Sequence, residues 1–284
     1  MVKSATGASA AIKTPSWGTF NRKTPGNLSR PQNRLVPKFL RQYPKIMRIV
    51  TWNIRKNPDA VAFAFDSLGA DVLLAQECHT RELSGLSVVG ANIEERWVKH
   101  KWGNYTFSKM LLARVEFPTD YKGSLTVTTV QTATGLLGLI NIYGLFERIG
   151  PGETKKLVTP GIHRKLSDLS PLLWRKAPGA IDRFVIGGDF NHDRRMDTHP
   201  SFKKLKATPF SGLFARVEDF GMTDLLHAQF PEGIQTFRAV RGEYPWQLDH
   251  VFVSNKLAST CDISVHDSSE VHKMSDHNPV ILDL

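Results

Sequence analysis

The chain has 284 residues, 41% of them apolar, and a formal net charge of +10. That length allows one large domain or two small ones with a sizeable core, and no apolar run approaches the roughly 18–20 residues of a membrane-spanning helix. Two cysteines, Cys78 and Cys261, exclude a disulfide framework and fit a reducing compartment. The N-terminus lacks the apolar stretch of a secretory signal, so the sequence reads as intracellular and cytoplasmic, with organelle targeting left open. Residues 1–48 carry ten Lys and Arg and no Asp or Glu, and the rest of the chain is electrically balanced. The basic excess therefore belongs to the N-terminal sixth and says nothing about the surface of a folded domain.

Residues 1–46 hold Pro15, Pro25, Pro31, Pro37 and Pro44 with no sustained period of 2 or 3.6, which predicts a disordered basic arm. Three readings of the arm stand together: a phosphate-binding tail, a targeting segment, or a non-native extension ahead of Met47. From Met47 to Leu284 the pattern is that of one folded domain. Met47 to Asn53 predicts a buried strand, Pro58 to Leu68 a short helix opened by Asn57-Pro58 and stopped by Gly69, and Asp71 to Gln76 a second buried strand. Leu125 to Val130 and Leu136 to Tyr143 predict strands joined by a Thr-rich turn. His163 to Lys176 predicts a helix interrupted or restarted near Pro171, and Arg183 to Gly187 a short apolar strand. Ser211 to Asp219 predicts a helix, and Gln247 to Ser254 and Pro279 to Leu284 the last strands. Strands and helices mix without strict alternation.

Polar residues stand systematically at strand ends: Trp52-Asn53, Gln76-Glu77, Asn141-Ile142-Tyr143 and Gly187-Gly188-Asp189-Phe190-Asn191. Each alone has a plain explanation. Asn53 caps a turn, Glu77 is a surface acid, and Asp189 with Asn191 forms an Asx-turn. Their recurrence at four strand ends points instead to one edge of a sheet, where sites form. Carboxylates such as Glu77 and Asp189 are hard oxygen ligands suited to Mg²⁺ or Mn²⁺, and nothing has the spacing of a zinc cage. Leu248-Asp249-His250 and Ser275-Asp276-His277 add a carboxylate and an imidazole, a pairing common in hydrolysis.

This ordered series, from Trp52-Asn53 through Gly188-Asp189-Phe190-Asn191 to Ser275-Asp276-His277, resembles the endonuclease/exonuclease/phosphatase superfamily, which includes deoxyribonuclease I, abasic-site endonucleases, neutral sphingomyelinases, inositol polyphosphate phosphatases and poly(A)-specific deadenylases. The resemblance runs from Met47 to Leu284. It implies an α/β fold of α+β type, a four-layered α-β-β-α sandwich of two packed mixed sheets flanked by helices. It implies that Glu77 binds a catalytic Mg²⁺ or Mn²⁺ with help from Asn53, with Asp276 a secondary metal candidate. It implies that Asp189 and Asn191 orient the attacking water and the phosphate, that Asp249 holds His277 as general base or phosphate-stabilising imidazolium, and that Tyr143 contacts the phosphate or leaving group. Three features depart from the family pattern. Arg55 stands where abasic-site endonucleases have an acid, Gly144-Leu145 follows Tyr143 in place of Pro-Asn, and His192-Asp193 adds two titratable groups, with His192 expected in a solvent-exposed loop.

The segment Arg96-Trp97-Val98-Lys99-His100-Lys101-Trp102 interleaves cations and aromatics, as surfaces that grip single strands or distorted duplexes do. An edge strand or loop with two core tryptophans explains it equally well. Arg55, Arg238 and Trp246 are further substrate-contact candidates. The expected activity is a divalent-metal phosphodiester hydrolase acting on DNA or RNA as a monomer. A small-molecule or lipid-headgroup phosphodiesterase and an inactive nucleic-acid-binding module stand as alternatives.

Overall fold

The structure is a computed structural model that describes residues 46–79, 83–95, 98–145, 147–148, 157–158, 160–174, 180–200, 202, 210–238 and 244–284. The expected basic arm (all but its last residue), Arg96 and Trp97 lie outside the described residues. In chain order the elements are β1 (Arg48–Asn53), α1 (Asp59–Asp66), β2 (Val72–Cys78), β3 (Ser87–Glu95), β4 (Val98–Ser108), β5 (Leu112–Arg114), β6 (Leu125–Thr132), β7 (Gly135–Tyr143), the short pair β8 (Glu147–Arg148) and β9 (Leu157–Val158), and α2 (Pro160–Leu173). Then follow β10 (Phe184–Asp189), α3 (Phe210–Asp219), β11 (Met222–Asp224), α4 (Leu225–Gln229), β12 (Asp249–Ser254), α5 (Asn255–Ala258), β13 (Asp262–Val265), α6 (Ser269–Met274) and β14 (Val280–Asp283). Among the described residues no helix is long and apolar enough to cross a membrane.

Two six-stranded sheets carry the fold, in the orders β13-β14-β1-β2-β4-β3 and β11-β12-β10-β7-β6-β5. Both sheets are mixed in the same way: one central parallel pair, β1 with β2 and β10 with β7, and antiparallel pairing everywhere else. Side chains alternate across a strand, and that period assigns each residue to a layer. Ile49, Val72, Leu74, Leu139, Val185, Val251 and Val280 meet between the two sheets. Val50, Trp52, Leu73 and Ala75 face the other way and pack with Val61 and Ala64 of α1 and Val271 of α6. Ile140, Ile142, Phe184, Ile186 and Phe252 pack on Ile162, Leu166 and Leu169 of α2 and Leu213, Phe214 and Val217 of α3. The result is the expected helix-sheet-sheet-helix sandwich. Strands covered on both faces lack polar alternation, which is why β1, β2, β7 and β10 stand out in the sequence.

Some elements differ from their sequence expectations. The α2 helix starts at Pro160 and runs through Pro171 without a break to Leu173. Pro171 has no N–H to give the carbonyl of Ser167, and Ser170 Oγ donates to that carbonyl instead at 2.8 Å. The α1 helix has Pro58 at its cap, and Asn57 Oδ1 accepts the amide of Asp59 at 2.9 Å. Gly69, at φ +71°, ends that turn with the left-handed residue the exit requires. The long hairpin β3-β4 was not expected as such. Ser87 to Ala91 are all only partly buried, so they lack the apolar signature of a core strand.

Candidate active site

The layer assignment fixes where the polar residues go. Thr51, Gln76 and Asn141 share the parity of inter-sheet core residues, so they meet in the middle of the sandwich. Gln76 Nε2 donates to Asn141 Oδ1 at 2.9 Å and Thr51 Oγ1 at 3.1 Å, while Asn141 Nδ2 donates to Ala75 O at 3.1 Å. These are buried girders between the sheets, and they form the floor beneath the site. One step further along the same parity come Asn53, Tyr143, Asp189 and, on the antiparallel neighbour, Asp249. Asp189 sits in register with both Tyr143 and Asp249. The carboxyl ends of two parallel pairs, one per sheet, therefore converge at one edge.

Glu77 breaks the parity, since alternation would send it toward the α1 layer. A bulge corrects this. Between Ala75 and Cys78 two residues of β2 oppose one of β4, and Glu77 takes φ +48°. A bulge of this kind re-aims a side chain, and here it returns the carboxylate to the shared edge. Glu77 Oε1 accepts from Asn53 Nδ2 at 3.3 Å and from Tyr143 Oη at 3.0 Å. Asn53 Nδ2 also donates to Asp189 Oδ2 at 3.0 Å, so one amide bridges the two carboxylates. Its carbonyl oxygen accepts the amide of Arg55 at 3.0 Å, which is the expected turn cap. Asn191, at φ +52°, donates its backbone N–H to Asp189 Oδ1 at 2.8 Å and its side-chain amide to Oδ2 at 3.2 Å. The Asx-turn reading and the clustering at the site thus hold together.

His277 precedes β14 and is buried. Its Nδ1 lies 2.8 Å from Asp249 Oδ2 and its Nε2 3.7 Å from Asp189 Oδ2. Burial alone disfavours the imidazolium, but the charges of Asp249 and Asp189 outweigh it and push His277 up to about 9. Burial is also the main force that pushes Asp189 up to about 7; the charge of Asp249 adds to it, and His277 opposes it. Glu77 goes the other way: its burial is outweighed by Lys56, Asn53 and Tyr143, which hold it below the usual range. Burial and the two carboxylates keep the Tyr143 phenol protonated.

The sequence did not reveal what holds these groups. Ser275 Oγ donates to Asn53 O at 2.6 Å and accepts the His277 amide at 3.0 Å, tying β1 to the histidine loop. Trp52 Nε1 donates to His277 O at 2.9 Å. Thr236 Oγ1 accepts the amides of Leu248 and Asp249 at 2.9 and 3.0 Å. Lys165 is fully buried, donates to Tyr143 O at 2.7 Å and pairs with Glu95 at 3.3 Å. A lysine inside the apolar stripe of Ile162, Leu166 and Leu169 was the signal available for it.

The remaining candidates fall around this cluster. Arg55 pairs with Asp276 at 3.1 Å, so Asp276 already has a cationic partner. Arg238 hydrogen-bonds Asn278 and, at 2.5 Å, Ser275 O, which turns its guanidinium onto the histidine loop. Lys99 is exposed and pairs with Glu94 at 2.6 Å. Trp246 is half-buried among Tyr244, His199 and Phe202. His192 is corrected: it is buried rather than solvent-exposed, and burial pushes it down to about 4. Its neighbours Phe190 and Phe210 carry the loop inward, and His192 O lies 2.9 Å from His250 Nε2.

Asp189, Asp249 and His277 bring ligand-type atoms within 4.8 Å of one another, close enough to hold an ion. The Nδ1 of His277 is already committed to Asp249 Oδ2, so His277 would meet such an ion through Nε2, and Asp249 through Oδ1, which has no hydrogen-bond partner among the described residues. Glu77 is partly open, with 17% of its side chain exposed, and offers hard oxygen beside Asp189.

The endonuclease/exonuclease/phosphatase family model matches residues 30–277, and the chain belongs to that family. No curated protein matches the sequence. Among solved structures, a 3'-5' exonuclease (NExo) from Neisseria meningitidis is similar at a TM-score of 0.63 and 20% identity, over 83% of this chain and 98% of that one. The AP endonuclease LMAP from Leishmania major is similar at 0.61 and 18% identity, over 84% and 87%. The endonuclease domain of TRAS1, a telomere-specific non-LTR retrotransposon, is similar at 0.58 and 17% identity, over 84% and 98%. At these identities the likeness is one of fold.

Proposed function

We propose that the chain is a divalent-metal-dependent phosphodiester hydrolase that acts on nucleic acid, with Mg²⁺ or Mn²⁺ as its cation. The observation that carries this reading is the buried His277, held by Asp249 and facing Asp189, within the same cluster as Asn53, Glu77 and Tyr143. The donor set suits a hard cation: Glu77 and Asp189 supply carboxylate oxygen, and Mg²⁺ needs only one or two of these alongside its waters. Glu77 would hold the ion, with Asn53 and Asp189 alongside it. When bound, the ion supplies Lewis-acid stabilisation of charge on the phosphate and the leaving oxygen.

The chain's own residues do the rest. Asp189 is the base that takes the proton of the attacking water at its carboxylate, and Asn191 orients that carboxylate through its backbone N–H and side-chain amide. His277 is an imidazolium at neutral pH in the metal-free chain, and its Nε2, 3.7 Å from Asp189 Oδ2, would stabilise charge developing on the phosphate. Asp249 fixes the ring through Nδ1. Tyr143 stays a hydrogen-bond donor. Arg55, Lys99, Arg238 and Trp246, with Arg96 and Trp97, are the proposed border of the substrate groove, and Asp276 acts there through Arg55.

Nucleic acid is favoured by the aromatic and cationic flank beside Tyr143. Trp102 meets the Tyr143 ring edge-on at 5.6 Å and stacks with His100 at 4.2 Å, a surface of the type on which bases stack. The test is a purified-protein assay with single- and double-stranded DNA, RNA, an abasic duplex and a chromogenic phosphodiester, each with Mg²⁺ or chelator. Hydrolysis that survives in both Asp189→Ala and His277→Ala removes the site assignment. Turnover of the chromogenic ester with no nucleic acid cleaved removes the nuclease half of the reading.

A further inference from the structure

The residue that sits on Glu77 is a cation of the chain itself. Lys56 Nζ lies 3.0 Å from Glu77 Oε2, and the backbone N–H of Lys56 donates to Glu77 O at 2.8 Å. Both interactions depend on an unusual turn. Arg55 and Lys56 are consecutive non-glycine residues at φ +49° and +66°, a conformation that side chains with a β-carbon rarely adopt. The turn begins two residues after Asn53 and sends Arg55 to Asp276 and Lys56 to Glu77. The ammonium also stands 4.8 Å from the centroid of the Trp102 ring, a cation–π distance. Its side chain is 39% exposed, so it is not locked in place by packing.

Lys56 holds Oε2 while Oε1 faces Asn53 and Tyr143, so a divalent ion on either oxygen of this one carboxylate stands close to the ammonium and the two cations repel. We propose that Lys56 is a resident counter-ion of Glu77: it neutralises the carboxylate when no metal is bound, is displaced by the incoming ion, and then remains beside Trp102 as a cation for the substrate phosphate. This rests on the reading of Glu77 as the carboxylate that binds the ion. The consequence is a built-in weakening of metal affinity, because each binding event must break the Lys56–Glu77 pair. Displaced, the ammonium keeps a short path to the phosphate, since Trp102 lies edge-on to Tyr143, which hydrogen-bonds Glu77.

The test is Mn²⁺ binding to metal-free protein, followed by calorimetry and by the electron paramagnetic resonance of free Mn²⁺. Wild type is compared with Lys56→Met, Lys56→Gln, Lys56→Arg and Glu77→Gln. The two neutral variants are expected to bind Mn²⁺ about 3- to 10-fold more tightly, the range for losing one partly exposed charge partner. Lys56→Arg, which keeps the charge, stays close to wild type, and Glu77→Gln weakens binding. Unchanged or weaker binding in both neutral variants, with Glu77→Gln still weakened, overturns the role of Lys56 and leaves the Glu77 reading standing. Wild-type affinity in Glu77→Gln overturns that reading itself. At saturating Mn²⁺, Lys56→Met is expected to raise KM for bis(4-nitrophenyl) phosphate about 3- to 10-fold over Lys56→Arg, with kcat less affected. An unchanged KM overturns the second half of the proposal.

Discussion

Replacing Asp249 with Asn removes one charge and leaves the shape of the side chain in place. The carboxylate stands 2.8 Å from His277 Nδ1, and both side chains are buried. At that separation the pair attraction is about 6 kcal/mol with an effective dielectric of ~20. The net effect on the ring is smaller, because burial opposes the imidazolium. Raising His277 from its ordinary 6.5 to about 9 corresponds to about 3 kcal/mol. Asp249 is the largest of the charges that raise it, ahead of Asp189. With Asn at 249, burial faces Asp189 and the weaker charge of Asp276, so the titration of His277 drops toward its ordinary value. The imidazolium is then lost at neutral pH, and kcat is expected to fall about 10²- to 10⁴-fold, the range for disabling a carboxylate-held imidazole. The checks are the ¹⁵N-resolved titration of His277 in metal-free protein and steady-state hydrolysis with Mg²⁺. A His277 that still titrates near 9, with kcat within about 3-fold of wild type, would falsify the assignment of Asp249 as its holder.

The same shift has a consequence for stability. The folded value of His277 lies above its ordinary one, so its stabilisation is complete below 6.5 and is lost as pH rises through about 9. Asp189 acts in the same direction, because the fold favours its protonated form. Metal-free protein should therefore lose about 3 kcal/mol in denaturant titrations between pH 6.5 and 9, and His277→Gln should flatten that slope; a flat wild-type profile contradicts the cluster. Lys165→Ala removes the ammonium from buried Glu95 and from Tyr143 O, and should destabilise the protein by about 3–5 kcal/mol. A loss under about 1 kcal/mol would show that the pair has no net worth. Gly188 has φ +151° and a β-carbon there would overlap the carbonyl of Ile142, so Gly188→Ala should leave little folded protein, read by circular dichroism and soluble yield. Deleting residues 1–46, which include nine of the basic residues, should reduce the salt dependence of nucleic-acid binding by about 0.7–0.9 in log–log slope for each phosphate the arm no longer neutralises. An unchanged slope and affinity removes the proposed phosphate-binding role of the arm.

Local sequence was enough to mark the strands that carry the site and to identify most of its groups. β1, β2, β7 and β10 are apolar on both faces because helices cover one side and the other sheet covers the other, and that pattern is visible without any partner. Asn53, Tyr143, Asp189 and Asp249 follow from it, since each continues the parity of an inter-sheet core residue to the end of its strand. Other features depend on neighbours far away in the chain and emerge only in the folded molecule. Glu77 reaches the site through a bulge opposite β4, against the simple alternation. Ser275, Thr236 and Lys165 act through backbone groups of other segments, so their roles cannot be read from their own surroundings in sequence. Arg238 is held on the histidine loop by Asn278 and Ser275 O, contacts that its own neighbours in sequence do not announce. His192 reads as a loop histidine because it follows Asn191, yet it is buried because aromatic residues of its own loop and of α3 close over it. Alternation is a property of one strand and is written locally. Bulges, buried ion pairs and the pairing of Lys56 with Glu77 belong to two segments at once, and only folding brings those segments together.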